Sequence, residues 1–401
     1  MKTAPEPPVT AATNGSRITL ADGRELIDGT ASWWTACHGY NHPHIRAAVE
    51  DQLATMPHVM FGGLVHEPAL RLAARLTKLL PAGFERVFFS ESGSVSVEIA
   101  LKIALQYWRN KGAPGRREFV AFKDGYHGDT FAAMAVSDSA TGFHDAFAGF
   151  GADAHRLALP TSSQREDDLR EFFEHRGDRI AAIIVEPLVQ AAGGMKIHDG
   201  ATLLRVRDLA ATYGCLLICD EIFTGFGRTG TLFACAAAAI TPDIVTLSKA
   251  LTGGTLPLAA TIVTHDVFAA FWSDEAAHAL MHGPTYMANP LGCAAANASL
   301  DLFEREARLE QVAQIESALR EALARCRRLP GVADVRVKGA LGVVELQRDD
   351  RSAELRRRFL DQGVWIRPFG SVVYLAPAFT IDSDELLRLT QAVERVVAAT
   401  G

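Results

Sequence analysis

Two charged residues close two apolar runs. Lys249 follows Ile244-Val245-Thr246-Leu247-Ser248, and Asp220 follows Leu216-Leu217-Ile218-Cys219. Runs of this length and composition read as buried strands. Open α/β sheets hold their ligands at the carboxyl ends of such strands. A buried amine near a buried carboxyl is costly unless something lies between them. A planar ring with an aldehyde and a basic ring nitrogen suits both groups. The lysine would form a Schiff base with the aldehyde, and the acid would keep the ring nitrogen protonated. Pyridoxal phosphate is such a ring.

A phosphate needs donors. The strand ending in Phe88-Phe89-Ser90 runs into Glu91-Ser92-Gly93-Ser94-Val95 and then a helix. Unpaired amides at a helix start, with Ser hydroxyls beside them, make an anion site. Taken singly, the stretch reads better as an ordinary Ser cap, since Ser before a helix is common for capping alone. Another strand, 118–122, leads to Asp124-Gly125-Tyr126-His127-Gly128-Asp129-Thr130. Tyr126 there could lie flat on a planar ligand or be a surface residue of a turn. The loop with Ser32-Trp33-Trp34 has no helical or strand period. Adjacent tryptophans serve as core plugs or ligand walls, and position alone does not separate the two.

The elements that must hold these residues alternate. Strands are predicted at 86–90, 118–122, 180–185, 215–219, 243–248 and 258–263, with helices between them. This pattern suits a mainly parallel sheet wrapped by helices. The strand at 258–263 could be an edge or an antiparallel insertion. Residues 1–16 are Pro-, Thr- and Ala-rich and read as poorly ordered, and 17–28 as a hairpin. Helices are expected over 43–56, 67–80, 290–305, 309–328, 353–362 and 382–398. The Gln164 to Arg170 charge run reads as a solvated surface helix. Short strands are expected at 332–337, 342–346, 364–367 and 372–375. The organisation that follows is a large lobe, 41–299, and a smaller α+β lobe of 1–40 with 300–401.

The totals are those of a globular chain. It has 401 residues, 48% apolar and 22% charged, with a net charge of −7. That length calls for more than one lobe. The charge argues against nucleic acid or an anionic membrane as partner. No apolar stretch approaches the ~20 residues of a membrane span, and the start lacks an apolar signal core, so a cytoplasmic protein is expected. The six cysteines are scattered, without a Cys-x-x-Cys pair, and read as reduced core thiols; no metal site is expected.

One motif misleads. Gly225-Phe226-Gly227-Arg228-Thr229-Gly230 has dinucleotide-loop spacing. That motif requires a strand running directly into the glycines. Here Asp220-Glu221 stand at the strand end, where a pyrophosphate would meet two acids. A hydride-transfer enzyme is therefore set aside.

Together, the phosphate cradle, Tyr126, Asp220 and Lys249 fall at strand ends in the chain order of fold-type I pyridoxal phosphate enzymes. The stretch from Asp220 to Gly230, then Pro242-Asp243-Ile244 and Ser248-Lys249-Ala250-Leu251-Thr252-Gly253-Gly254, resembles the class III aminotransferase signature. Within that class, further blocks resemble the adenosylmethionine-8-amino-7-oxononanoate aminotransferase branch of biotin biosynthesis, from about residue 22 to the C-terminus. They are Ser32-Trp33-Trp34, His38-Gly39-Tyr40-Asn41-His42-Pro43, Tyr126-His127-Gly128-Asp129-Thr130, His282-Gly283-Pro284-Thr285 and Trp365-Ile366-Arg367-Pro368-Phe369-Gly370. Two features depart from the branch. Its N-terminal His-Pro-Tyr segment has no counterpart, and position 223 is Phe where the branch has a small residue.

The resemblance implies a fold-type I α/β transferase with a seven-stranded, mainly parallel sheet. It implies pyridoxal 5'-phosphate on Lys249, with Asp220 at the ring nitrogen. Tyr126 and Ile222 would take the two ring faces. Gly93, Ser94 and Val95 would donate to the phosphate. Gly283, Pro284 and Thr285 would complete the site from a partner subunit, which makes the protein a homodimer. Trp33, Trp34, Asp129 and Tyr374 would wall the substrate pocket, Trp33 offering its face to a sulfonium, and Arg367 would clamp a carboxylate. The implied reaction moves an amino group from S-adenosylmethionine to 8-amino-7-oxononanoate. The alternatives are lysine or another amine as donor, and a pyridoxal phosphate-binding protein without turnover.

Overall fold

Seven strands carry the site. Their spatial order is Phe84–Ser90, Ala259–Thr264, Ile244–Leu247, Leu216–Asp220, Ile180–Val185, Glu118–Phe122 and Ala154–Leu157. Pairing is parallel except around Ala259–Thr264, which is antiparallel to both neighbours. The strand expected at 258–263 is therefore an antiparallel insertion one place in from the edge. The structure is a computed structural model and describes residues 6–138, 144–147, 149, 151–348 and 351–399.

Every residue of Ile180–Val185, Leu216–Asp220 and Ile244–Leu247 is buried. Both sheet faces are covered, so the strands read as unbroken apolar runs rather than as alternation. Helix Gly93–Asn110 packs across Ile244–Leu247 and Ala259–Thr264. Helix Pro290–Arg305 starts on a Pro and is capped by Asn289 Oδ1, which accepts from Leu291 and Gly292 N–H at 3.1 and 3.2 Å. Its small residues, among them Ala295, Ala296 and Ser299, are buried. They let it lie close on Pro43–Thr55, Glu67–Leu79 and the turn Lys249–Thr252.

Two smaller sheets flank this layer. Thr10–Asn14, Arg17–Leu20 and Glu25–Asp28 pair antiparallel, and Val364–Trp365 adds parallel to Glu25–Asp28. Val332–Lys338, Leu341–Leu346 and Val372–Leu375 form the other. The expectation of poor order over 1–16 thus fails for Thr10–Asn14. A turn at Gly15 (φ 55°) folds that segment onto Arg17–Leu20. Main-chain pairing, not burial, holds it, and this leaves no trace in hydropathy; residues 1–5 lie outside the described residues. The charged helix is present as Ser163–Arg176.

All six cysteines are free and buried. Burial pushes the Cys37, Cys215 and Cys293 thiols up to about 12. Among the described residues no helix is long and apolar enough to cross a membrane, and no group of three acidic, His or Cys side chains could hold a metal.

Candidate active site

Parallel pairing sets Asp220 beside Thr246, and three residues later the chain reaches Lys249. Both side chains line a cavity of about 180 Å³ at the carboxyl ends of their strands. Asp220 is buried at its floor. Its Oδ1 accepts from Ile222 N–H at 3.1 Å and the Thr246 hydroxyl at 3.2 Å. Its Oδ2 lies 2.7 Å from His127 Nδ1. Desolvation pulls the Lys249 ammonium below the ordinary lysine range, against the opposing charges of Asp220, Glu186 and Asp129. A lysine so shifted is available as a free amine.

The wall beside Gly93 and Gly128 is built by contact. A Cβ on Gly93 would sit 3.0 Å from Ile222, and one on Gly128 would fall 2.3 Å from Ser94 Oγ. Both glycines therefore leave space at the start of helix Gly93–Asn110, where backbone amides point outward. Ser94 Oγ accepts from Asp129 N–H at 3.0 Å and keeps its proton to donate. Val95 differs from expectation. Its N–H is already taken by the Ser92 cap at 3.3 Å, so it is not a free donor. The cradle, the acid floor and the amine fit the phosphate, ring nitrogen and aldehyde of pyridoxal phosphate.

The aromatic walls hold two corrections. Tyr126 lines the cavity and stacks with the buried His144 at 5.9 Å and 25°, and His144 Nε2 is 3.0 Å from Asp129 Oδ1. Tyr374 does not line the cavity. It is buried behind Trp34, with ring centroids 6.0 Å apart, because its strand is covered by the Ala31–Trp34 turn. Trp33 is exposed, and the Arg367 guanidinium covers its ring at 4.6 Å, so the expected cation surface is already occupied. Among the described residues Arg367 has no carboxylate partner. Phe223 meets Trp34 edge to face at 4.7 Å and 79° and lines the cavity.

The segment without sequence period is one left-handed turn. Ala31, Ser32, Trp33 and Trp34 have φ of 45°, 49°, 57° and 73°. This hand costs roughly 1–2 kcal/mol per residue for L-amino acids. The turn puts the Trp34 ring 4.8 Å from Lys249 Nζ. It also lies against the glycines that follow the lysine: a Cβ on Gly254 would be 2.9 Å from Ala36 N. Gly283, Pro284 and Thr285 do not line this cavity. Their loop carries the exposed Met281 and Tyr286 and packs its His282 against Phe88 and Lys102.

Glu186 lines the cavity and was overlooked as a functional residue. Its buried carboxyl accepts from Tyr126 N–H at 2.9 Å and Ala191 N–H at 3.0 Å. The available signal was the one used for Asp220: an acid closing an apolar run. His127, beside Tyr126 in the sequence, likewise carries no expected role, yet it lines the cavity and meets Asp220. Burial, reinforced by Asp220, pushes Glu186 up to about 7 from 4.5. The folded state therefore binds the proton more tightly than the unfolded state. The contribution of Glu186 to stability is fully present below pH 4.5 and is lost as pH rises to about 7, by roughly 3 kcal/mol. Denaturant unfolding of cofactor-free protein at pH 5 and 8 measures this slope. Glu186→Gln should flatten it, and an unchanged slope would assign the dependence elsewhere.

The family described as Aminotransferase class-III matches residues 3–397. An adenosylmethionine-8-amino-7-oxononanoate aminotransferase of Corynebacterium glutamicum is 44% identical over 390 residues, covering 96% of this chain and 92% of the relative. The crystal structure of an enzyme of that name from Methanocaldococcus jannaschii superposes with a TM-score of 0.94 at 30% identity, covering 98% of this chain and 94% of that one. An amine transaminase from an uncultivated Pseudomonas species, in its PLP-bound form, superposes at 0.93 with 33% identity, covering 99% and 96%.

Proposed function

The chain belongs to the class-III aminotransferases, which work with pyridoxal phosphate, and on that footing we propose that it transfers the amino group of S-adenosylmethionine to 8-amino-7-oxononanoate, giving 7,8-diaminononanoate in two half-reactions. The carrying observation is the 44% identity, over 96% of the chain, to the Corynebacterium glutamicum enzyme of that name.

The cofactor supplies an electron sink for the substrate carbon. The chain's own residues do the rest. Lys249 binds the aldehyde and, once displaced, takes and returns the proton at the substrate carbon, a task suited to its lowered pKa. Asp220 accepts the ring nitrogen's proton bond while His127 and Thr246 fix its orientation. Gly93 and Ser94 amides with the Ser94 hydroxyl hold the phosphate, Val95 closing the helix start without donating. Tyr126 and Ile222 bound the ring. Trp33, Trp34 and Asp129 shape the entrance, with Tyr374 supporting Trp34 from behind.

Arg367 receives the acceptor's carboxylate, for which its planar fork and free charge are suited. Arg367→Ala should raise KM for the acceptor about 10- to 100-fold, the loss of a charged hydrogen-bonded pair of roughly 1.5–3 kcal/mol, and leave the donor half-reaction within about twofold. Stopped-flow absorbance on each half-reaction separates the two.

The proposal includes a homodimer whose partner lends Gly283, Pro284 and Thr285. Exposed Met60, Leu64, Val65, Met281 and Tyr286 support it, as does the fact that this loop does not line its own cavity. The lobe division into 41–299 and 1–40 with 300–401 belongs to the same reading, supported by the pairing of Val364–Trp365 with Glu25–Asp28.

A second reading keeps the chemistry and changes the donor to lysine or another amine. It is favoured by Phe223 in the cavity wall and by the likeness to the amine transaminase. Mixing holoenzyme with each donor alone and following the visible band decides between them. Conversion by S-adenosylmethionine supports the first reading, and conversion by lysine alone supports the second.

A further inference from the structure

The left-handed turn has an owner. Asp28 is buried and ends strand Glu25–Asp28. Its Oδ1 accepts from Thr30 N–H at 2.7 Å and the Thr30 hydroxyl at 2.8 Å. Its Oδ2 accepts from Ser32 N–H at 2.8 Å and the Tyr40 hydroxyl at 2.6 Å. Tyr40 is itself tied down, its N–H donating to Gly15 O at 2.7 Å. Four donors thus converge on one carboxyl. Two are backbone amides of the chain entering the turn.

That turn reaches both ends of the site. On one side Trp34 lies over Lys249 Nζ and edge-on to Phe223. On the other, Trp33 lies under Arg367. The sheet sets the second contact, because Asp28 is the register partner of Trp365, two residues before Arg367. Trp34 lines the cavity wall with Tyr374 packed behind it, so its ring is held between the turn and the small sheet. Four consecutive left-handed residues, none of them Gly, persist only where the surroundings over-determine them.

We infer that Asp28 is a positioning residue: its carboxyl holds the Ala31–Trp34 turn in its left-handed form, and so fixes Trp34 at the lysine and Trp33 at the carboxylate clamp. This rests on the placement of the cofactor at Lys249 and of the acceptor carboxylate at Arg367. Asp28 touches neither.

The test is Asp28→Asn in the holoenzyme, which keeps the shape and replaces one acceptor by a donor. Three readouts are taken: thermal unfolding, the pH midpoint of the visible band of the lysine-bound cofactor, and KM for the carboxylate-bearing acceptor. Trp34 faces a cation at Lys249, so loosening it should move the midpoint to lower pH by about 0.5 unit or more. KM for the acceptor should rise about tenfold, since Trp33 no longer backs Arg367. Adding Ser32→Gly should restore part of both, because Gly adopts positive φ without cost. A purely scaffolding carboxyl would not be rescued in this way. An unmoved midpoint with a KM within twofold of wild type overturns the inference, as does a change that Ser32→Gly leaves untouched. Should Asp28→Asn not fold, Tyr40→Phe removes one donor and decides alone: a smaller shift in the same direction supports the inference, and none overturns it. A wild type without any visible band would instead sink the cofactor assignment.

Discussion

Lys249→Ala should fold, bind no visible chromophore and lose transamination by about 10³-fold or more. Two roles end together, since the amine that anchors the cofactor is also the proposed proton carrier, and general acid–base catalysis alone is worth about 10²–10⁴. Folding should not suffer. Lys249 Nζ is desolvated in the cavity and makes no salt bridge among the described residues, and its burial costs stability that alanine recovers. Backbone strain is unchanged, because both residues meet the same φ of 46°. The thermal midpoint of the cofactor-free variant should therefore equal or exceed that of cofactor-free wild type. Product formation from S-adenosylmethionine and 8-amino-7-oxononanoate with added cofactor, followed by chromatography, measures the loss. Retention of a tenth of wild-type turnover would remove Lys249 from the reaction.

Asp220→Asn should cost about 10²-fold in kcat and weaken cofactor retention. The substitution keeps the shape and removes the charge. Oδ1 can still accept from Ile222 N–H and Thr246, but the new amide then points at His127 Nδ1, which lay 2.7 Å from the lost oxygen. His127 must change tautomer or break away. The ring nitrogen would also lose the carboxylate that keeps it protonated, a charged hydrogen bond worth roughly 1.5–3 kcal/mol, which is a factor of about 10–150 in rate if it is made in the transition state. Two further shifts accompany the loss. Asp220 supports the Lys249 ammonium and raises Glu186, so the variant should lower both. The pH–rate profile on kcat reports these shifts. Unaltered kcat with unaltered profile would show that the ring nitrogen is held by something else.

The large sheet was legible because its central strands are buried on both faces. Ile180–Val185 and Leu216–Asp220 need unbroken apolar runs, and a charge at the end of such a run stands out. Helices with caps and amphipathic spacing, such as Glu67–Leu79, were legible for the same local reason. Strand Thr10–Asn14 was not. It is held by pairing to its neighbour, and its side chains face solvent. The Val95 amide was misassigned because a cap uses the same Ser that signals an anion site.

Types and spacing along the chain were enough for the reaction class. A lysine, an acid, a Ser–Gly helix start and an aromatic loop each end a strand, and strand ends converge in any parallel sheet. The tertiary structure decided how those groups are tuned and what supports them. Glu186 acquires its raised pKa from burial beside Asp220, and neither burial depth nor that proximity can be read from an isolated stretch. The turn at Ala31–Trp34 takes a left-handed path that local preference opposes, and it stays there because Asp28 and Tyr40 on either side of it, and Gly254, Phe223 and Arg367 from distant parts of the chain, meet it together. Short-range preferences therefore declare which residues can react. Long-range contacts, which outweigh those preferences where several converge, set where the two tryptophans stand.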